Sequence, residues 1–524
     1  MGWNKKRVIS SILSISVLVA TCFSACGQEE KKQGVVLYQD GMAYTETVKG
    51  TPEKVNAIYY EFLAEEGGLE DGSDVMPIGG FYAPYASGGS VNGNEAANFL
   101  SDEIFSALSE CGINAMFYSV DRWVTDGSNT ALKQAIDLCE KYGIGYYIDL
   151  YYVNGQLGSH TENYPLENMT LNKDSGKEKL KELLNEITDN RSKKSVLGIM
   201  GKDEPFTSEL DNLGVLTDAF YGLDNTAGMD VYMNALGYWA GEDNLYGYSD
   251  PLEYDNYIQQ YFEVAKPRML SVTQYPYTSD NTPEATVAAL LYDQISVYKK
   301  YADAYNVPFW RMLQAGGQWN DAGNWVESKP AYPSEGEMLY DVNLALAYGA
   351  KSIQYFPLIQ PQHFAYGPEE NTFDYANRNG LIGGDGNKTR WYYYAQRANA
   401  QIKAIDEYLM KAANVGIIVH GENAKKAFIT NATVEKNEIL QESTFRQLKG
   451  VSGDDCIVGC FDYLGGTALY VVNYNRKEKA DVTLTFDRND YRYKVIQRAT
   501  SCDVVGGEMT LTLDMGEGAL IVLA

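Results

Sequence analysis

A (β/α)8 barrel followed by a small C-terminal antiparallel β-sandwich is the fold this sequence predicts, on three observations. Between about residues 74 and 413, eight short apolar runs each precede a longer amphipathic run. The short runs are apolar almost throughout, as burial on both faces of a parallel sheet requires. After about residue 414 the texture changes to short β-rich runs, several of them alternating, with turn residues between them.

The units follow in order. "MPIGGFYAPY" (76–85) reads as the first strand and "NEAANFLSDEIFSALSECG" as its helix. "INAMFYSV" (113–120) precedes "TALKQAIDLCEKYG", and "IGYYIDLYY" (144–152) precedes "GKEKLKELLNEITDN". "VLGIMGKDEP" (196–205) is the fourth strand, and "DVYMNALG" (230–237), the fifth, is followed by "YIQQYFEVAK". "MLSVTQYPYT" (269–278) leads into "EATVAALLYDQISVYKKYADAYN", and "VPFWRMLQAG" (307–316) into "EGEMLYDVNLALAYGA". "KSIQYFPLIQP" (351–361) is the eighth, closed by "WYYYAQRANAQIKAIDEYL". Gly112, Gly143 and Gly349 fall where helices should stop, since a residue just past a helix often needs a left-handed backbone. A doubly wound open sheet would carry a glycine-rich phosphate turn after its first strand, and "PIGGFYAP" is not one. In the C-terminal region "VGIIVHG", "KAFITNAT", "CIVGCFDYLGG", "TALYVVNYN", "ADVTLTFD", "YRYKVIQRA", "EMTLTLD" and "GALIVLA" read as strands over 414–524.

Residues 1–26 read as a targeting segment. Lys5, Lys6 and Arg7 precede an apolar stretch from Val8 to Ala20 that is short for a membrane span. Phe23-Ser24-Ala25-Cys26 then resembles the cleavage site of bacterial lipoproteins, which implies cleavage before Cys26, lipidation of its thiol and a lipid-anchored protein on the extracellular face of the membrane. The alternative is an ordinary secretory signal. Residues 27–73 read as a tether and N-terminal segment, in which "GVVLYQDGMAYTET" forms a hairpin or an ordered part of the tether.

Composition excludes several chemistries. A net charge of −27 argues against a nucleic-acid partner, because phosphate binding needs a basic surface. The five cysteines beyond the signal (Cys111, Cys139, Cys456, Cys460, Cys502) show no CxxC spacing and read as buried thiols. With three histidines, no HExxH and no GxSxG elbow, zinc and Ser-His-Asp chemistries have no support, and no cofactor is expected. Tyrosine is abundant, at 42 residues. Its apolar face and hydroxyl suit sugar rings, although a tyrosine-rich protein need not use them so.

A barrel of this kind places its active site at the carboxyl ends of the strands. Those ends offer Tyr82, Trp123, Asp149, Tyr152, Asp203, Glu204, Trp239, Gln274, Tyr275, Tyr277, Trp310, Gln314, Trp319 and Tyr355. Aromatic faces there would stack on sugar C–H faces, while amides and carboxylates would bond hydroxyls. Asp203-Glu204-Pro205, with the segment 380–405 and the barrel-plus-sandwich order, resembles the β-galactosidase-like (β/α)8 glycoside hydrolases, which carry an acid/base glutamate at the end of strand four. The resemblance implies that Glu204 is the general acid/base; the alternative is a carboxylate capping the next helix. That family has a nucleophilic glutamate at the end of strand seven, where this chain has Gln314.

The second carboxylate is therefore open. Asp149 is the choice from the neighbouring strand, unless it pairs with Arg122. Asp203 reads as a supporting group. Asp321 or Glu327 could return from the strand-seven loop. The reading is an extracellular glycosidase with a carbohydrate substrate, and its rival is a carbohydrate-binding lipoprotein on a degenerate barrel.

Overall fold

The computed structural model describes residues 35–39, 42–46, 58, 60–66, 75–85, 90–91, 94–95, 98–119, 130–149, 171–238, 253–277, 282–316, 333–360, 380–384, 386–430, 439–440 and 443–523. Eight parallel strands close into a barrel: β1 (Ile78–Ala83), β2 (Ala115–Ser119), β3 (Gly145–Asp149), β4 (Val196–Asp203), β5 (Asp230–Ala235), β6 (Leu270–Thr273), β7 (Phe309–Gln314) and β8 (Ser352–Phe356), with β8 paired to β1. The helices between and after them are α1 (Asp102–Glu110), α2 (Thr130–Tyr142), α3 (Asp174–Ile187), α4 (Leu210–Tyr221), α5 (Glu253–Gln260), α6 (Asp293–Tyr305), α7 (Glu335–Ala347) and α8 (Arg390–Leu409). Each of the eight predicted units is present. Gly112, Gly143 and Gly349 end α1, α2 and α7 with φ of +87°, +67° and +85°, a conformation in which a Cβ is strained.

Alternation along the strands sorts side chains into two cores. Inside the barrel, Phe81, Phe117, Tyr147, Met200, Tyr232, Trp310 and Met312 pack on one another, with Phe117 and Tyr232 ring centroids 4.6 Å apart. The lower end is plugged by Tyr60, Phe62 and Leu63 on and beside a short helix, Glu61–Glu66. The Tyr60 hydroxyl contacts that of Tyr147 and donates to Asp230 Oδ2 at 3.0 Å. Part of the segment read as a tether thus belongs to the barrel core, while Val35–Gln39 and Met42–Glu46 form the hairpin seen in the sequence. The second core lies between the strands and their helices and includes the buried Arg311–Asp341 ion pair, 3.0 Å long.

The C-terminal region is a sandwich. Strands β9 (Ala412–His420), β10 (Ile439–Leu440), β12 (Cys456–Tyr463), β13 (Gly466–Asn473), β15 (Tyr491–Gln497), β16 (Thr500–Gly506) and β18 (Gly518–Leu523) form one sheet of seven. Strands β11 (Leu448–Gly453), β14 (Ala480–Phe486) and β17 (Glu508–Leu513) form one of three. One face of the larger sheet meets the smaller one through Val458, Leu469, Val471, Val482 and Leu484. Its other face, through Ile457, Phe461, Tyr470 and Leu520, joins the barrel's own core, which explains why these strands are apolar on both sides. At that junction Asn343 of α7 donates to Gly516 O at 2.8 Å and accepts from Tyr470 at 2.6 Å.

Two details differ from expectation. Lys426–Thr430 of "KAFITNAT" is a helical turn, because Ala424, Ala427 and Phe428 share one buried side and Phe428 stacks on Tyr292 at 4.0 Å. Leu448–Gly453 and Thr500–Gly506 are strands whose partly exposed faces gave little apolar signal. Cys111, Cys139, Cys456 and Cys460 are buried thiols as expected, whereas Cys502 is exposed.

Candidate active site

The end of β4 departs from regular backbone at Glu204, whose φ is +47°. This left-handed conformation costs an L-residue with a side chain about 1 kcal/mol or more and persists only when its surroundings hold it. The restraints are visible. The Glu204 N–H donates to Asn234 O at 2.8 Å, extending the β4–β5 ladder, in which Asp203 is paired with Asn234. One residue on, Tyr257 of α5 donates its hydroxyl to Pro205 O and accepts from Leu236 N–H, both at 3.1 Å. Glu209 accepts from Phe206 N–H at 2.8 Å and from the buried Lys202 ammonium at 2.9 Å.

The capping role open to Glu204 is therefore filled by Glu209. Among the described residues, the Glu204 carboxyl takes part in no hydrogen bond. It is partly exposed at the mouth yet crowded by protein, so burial, followed by the charge of adjacent Asp203, pushes its pKa up to about 8. Asp203 is held differently: Asn234 Nδ2 donates to its Oδ1 at 3.0 Å and to Thr273 Oγ1 at 2.7 Å, while Ser271 donates to Asn234 Oδ1 at 3.0 Å. A fixed amide proton reaches Asp203 and none reaches Glu204, so the raised pKa falls on Glu204.

Opposite this pair lies an aromatic wall. Tyr82 and Phe356 have ring centroids 5.3 Å apart, and Phe356 stacks on Tyr275 at 5.2 Å. All three are partly exposed, as are Asp203 and Glu204, so these five side chains form part of the mouth. Tyr82 has φ of +67°, a second strained backbone position at the same end of the barrel. Burial first, then the charges of Glu204 and Asp203, push the Tyr275 hydroxyl well above its ordinary range, so it remains a neutral donor and acceptor. Among the described residues, no group of three His, Cys, Asp or Glu side chains could hold a metal ion.

The remaining predicted residues are placed as follows. Asp149 is buried at the end of β3, paired in register with Met200, which lies below Asp203 on β4. The structure brings Asp203, Glu204, Tyr82 and Tyr275 together, while Asp149 sits deeper. Gln274 points away from the barrel axis and donates to Leu290 O at 2.6 Å and Gln294 at 2.8 Å. Tyr355 also points outward, to Asn399 at 2.7 Å. Both are corrections with one cause: on β6 and its extension Ser271, Thr273 and Tyr275 face in, and on β8 Ser352, Gln354 and Phe356 do, so their neighbours cannot. Trp310 is fully enclosed within the barrel core, and Tyr277 is buried with its hydroxyl on Glu337 O at 3.0 Å, so neither lines the mouth.

Gln314 is also corrected from binding group to brace. Its Nε2 donates to Tyr277 O at 2.9 Å and Gly316 O at 2.8 Å, and its Oε1 accepts from Tyr277 N–H at 3.2 Å. Two carbonyl oxygens thus face the position where the β-galactosidase-like pattern has a carboxylate. Trp123, Tyr152, Trp239, Trp319, Cys26, Arg122, Asp321 and Glu327 lie outside the described residues. The sequence also puts Asn234 near the end of the fifth strand, without a role, and the candidate set missed Thr273, Phe356 and Glu209. Glu209 stands three residues after Phe206, the spacing at which a glutamate caps back onto a backbone amide, whereas nothing in β6 or β8 marks Thr273 and Phe356 over their neighbours as the inward set.

No protein-family model matches the chain, and no curated protein does. Among solved structures, it is similar to a β-galactosidase from Bacillus circulans sp. alkalophilus, with 11% identity, TM-score 0.49, and coverage of 86% of this chain and 99% of that one. A β-galactosidase from the psychrophilic Marinomonas ef1 matches at 10% identity, TM-score 0.48, covering 85% and 100%. A GH51 arabinofuranosidase from Xanthomonas axonopodis pv. citri matches at 12% identity, TM-score 0.43, covering 86% and 96%. Likenesses of this degree do not bear on individual residues or their chemistry.

Proposed function

We propose that this chain is a glycoside hydrolase acting on an extracellular oligosaccharide or glycan, with Glu204 as its general acid. The observation that carries the reading is the Glu204 carboxyl: strained in backbone, without a hydrogen bond among the described residues, and raised to about 8 by burial and Asp203. Such a group is a protonated acid at neutral pH, which is what the oxygen of a departing sugar requires. Tyr82, Tyr275 and Phe356 offer aromatic surface to the C–H face of the ring beside it.

In the proposed reaction Glu204 gives its proton to the glycosidic oxygen as the bond to the anomeric carbon breaks. Asp203, which accepts a hydrogen bond from Asn234, lies against the positive charge developing on the sugar, and water then adds to the anomeric carbon, its proton passing to the carboxylate of Asp203 or Asp149. The second carboxylate is assigned to Asp203 or Asp149, since the brace made by Gln314 speaks against a nucleophile on β7. Replacing Glu204 by Gln removes the proton while keeping the shape. Release of reducing sugar from a panel of oligosaccharides should fall by about 10²–10⁴, and release of nitrophenol from aryl glycosides, a leaving group that needs little protonation, should fall far less.

The second reading is a protein that binds carbohydrate without cleaving it, and Gln314 is the observation that favours it. If neither the parent nor Glu204→Gln turns over any glycan while both bind one equally, the binding reading replaces the enzyme. Lipid anchoring at Cys26 on the extracellular face is proposed from the N-terminal residues alone. Expressed in a bacterium, the parent should partition into detergent and Cys26→Ala into the aqueous phase.

A further inference from the structure

Glu209 occupies an unusual place in the turn that carries Glu204. Its carboxylate is buried and bonded on both sides of the acid, to the Lys202 ammonium two residues before it and to the Phe206 N–H two residues after it, at 2.9 Å and 2.8 Å. Its own N–H returns to Phe206 O at 2.9 Å, closing the turn on itself. A buried ion pair adds little stability compared with apolar side chains of the same volume, so stability alone is a poor account of this one. Breaking it by removing the acid would leave a buried ammonium without this carboxylate.

We infer that Glu209 is a positioning residue of the site: it holds the Glu204–Pro205 turn in its left-handed form and keeps the Lys202 ammonium away from the Glu204 carboxyl. The inference rests on the reading of Glu204 as the acid. The two ends of the turn are tied to one carboxylate, and its middle to Asn234 O and the Tyr257 hydroxyl. That is the over-determination a strained residue needs. The groups coupled to the charge of Glu204 include Asp203, Tyr257, Tyr275 and Tyr298, an acid and three tyrosines. A lysine released from Glu209 would change that balance, because an ammonium favours the ionised form of a nearby carboxyl.

The test titrates Glu204 directly and needs no substrate. Full-length protein labelled with 13C at the glutamate carboxyls is followed from pH 4 to 10, with Glu204→Gln identifying the signal. The parent should titrate near 8. In Glu209→Ala the midpoint should fall by at least about one pH unit, which is tenfold in the proton affinity of the acid. In Lys202→Met/Glu209→Gln, where the amide oxygen can still cap Phe206 and no lysine remains, it should stay near the parental value. This double variant also serves if Glu209→Ala fails to fold, since a midpoint one unit lower there would overturn the inference. An unchanged midpoint in folded Glu209→Ala overturns it as well. The glycosidase reading fails separately: a shifted midpoint in a protein that cleaves no glycan leaves the positioning role intact, and an unshifted one in an active protein removes only Glu209.

Discussion

Replacing Gln314 by Glu supplies the acid that the β-galactosidase-like pattern has at the end of β7, and the structure predicts damage instead of gain. Gln314 is 4% exposed, and its amide nitrogen serves two carbonyl oxygens at 2.9 Å and 2.8 Å. An ionised carboxylate there has no proton to give, so both carbonyls lose their donor, at about 1–3 kcal/mol each. A protonated one serves a single carbonyl, and only that loss of about 1–3 kcal/mol remains. The introduced group will therefore hold its proton in the folded protein above the pH at which the unfolded chain releases it. Its destabilisation is smallest in acid and grows as pH rises, by about 1.4 kcal/mol for each unit of upward displacement. Guanidinium unfolding of parent and Gln314→Glu should show a deficit of about 2 kcal/mol at pH 4.5 and about 4 kcal/mol at pH 8. Equal stability at both pH values, or new glycoside hydrolysis by the variant, would refute the assignment of Gln314 as a brace.

Glu204 makes a related prediction on the native chain. Its folded pKa of about 8 lies above the unfolded value of 4.5, so its contribution is intact below 4.5 and is lost as pH rises through 8. Glu204→Gln should thus match the parent at pH 4.5 and exceed it by about 2–4 kcal/mol at pH 9, the partial exposure of the carboxyl trimming the full linkage value; denaturant midpoints at the two values decide it. Trp310→Ala should cost about 3–5 kcal/mol of unfolding free energy, because it empties the barrel core beside Tyr232. Phe356→Ala should weaken the binding of an oligosaccharide to Glu204→Gln about tenfold by calorimetry, with little change in melting temperature. Unaltered affinity would remove the aromatic wall from the site.

Much of this architecture was legible because barrel strands and their helices carry separate periods in the chain. Strand ends could be read to within a few residues, and that located Glu204, Asp203, Tyr82 and Tyr275 at one face. Side-chain direction was harder. Gln274 and Tyr355 sit one residue from Thr273, Tyr275 and Phe356, and a strand apolar on both faces offers no sign of which alternate set points in. Trp310 belongs to the seventh apolar run and so stands in the candidate set, yet it lies two positions below Met312, inside the packed layer.

The sequence by itself determined the order of elements, the sandwich, and the delivery of two adjacent acids to the mouth of the barrel, since each follows from local periodicity and chain order. Only the tertiary structure decided what those acids do. The left-handed turn at Glu204 depends on Asn234 and Tyr257, the hold on Asp203 on an amide from β5, and the brace at Gln314 on carbonyls from two loops. These groups come from distant parts of the chain, and a proton's position responds to all of them at once, through burial and charge that no local window of sequence contains.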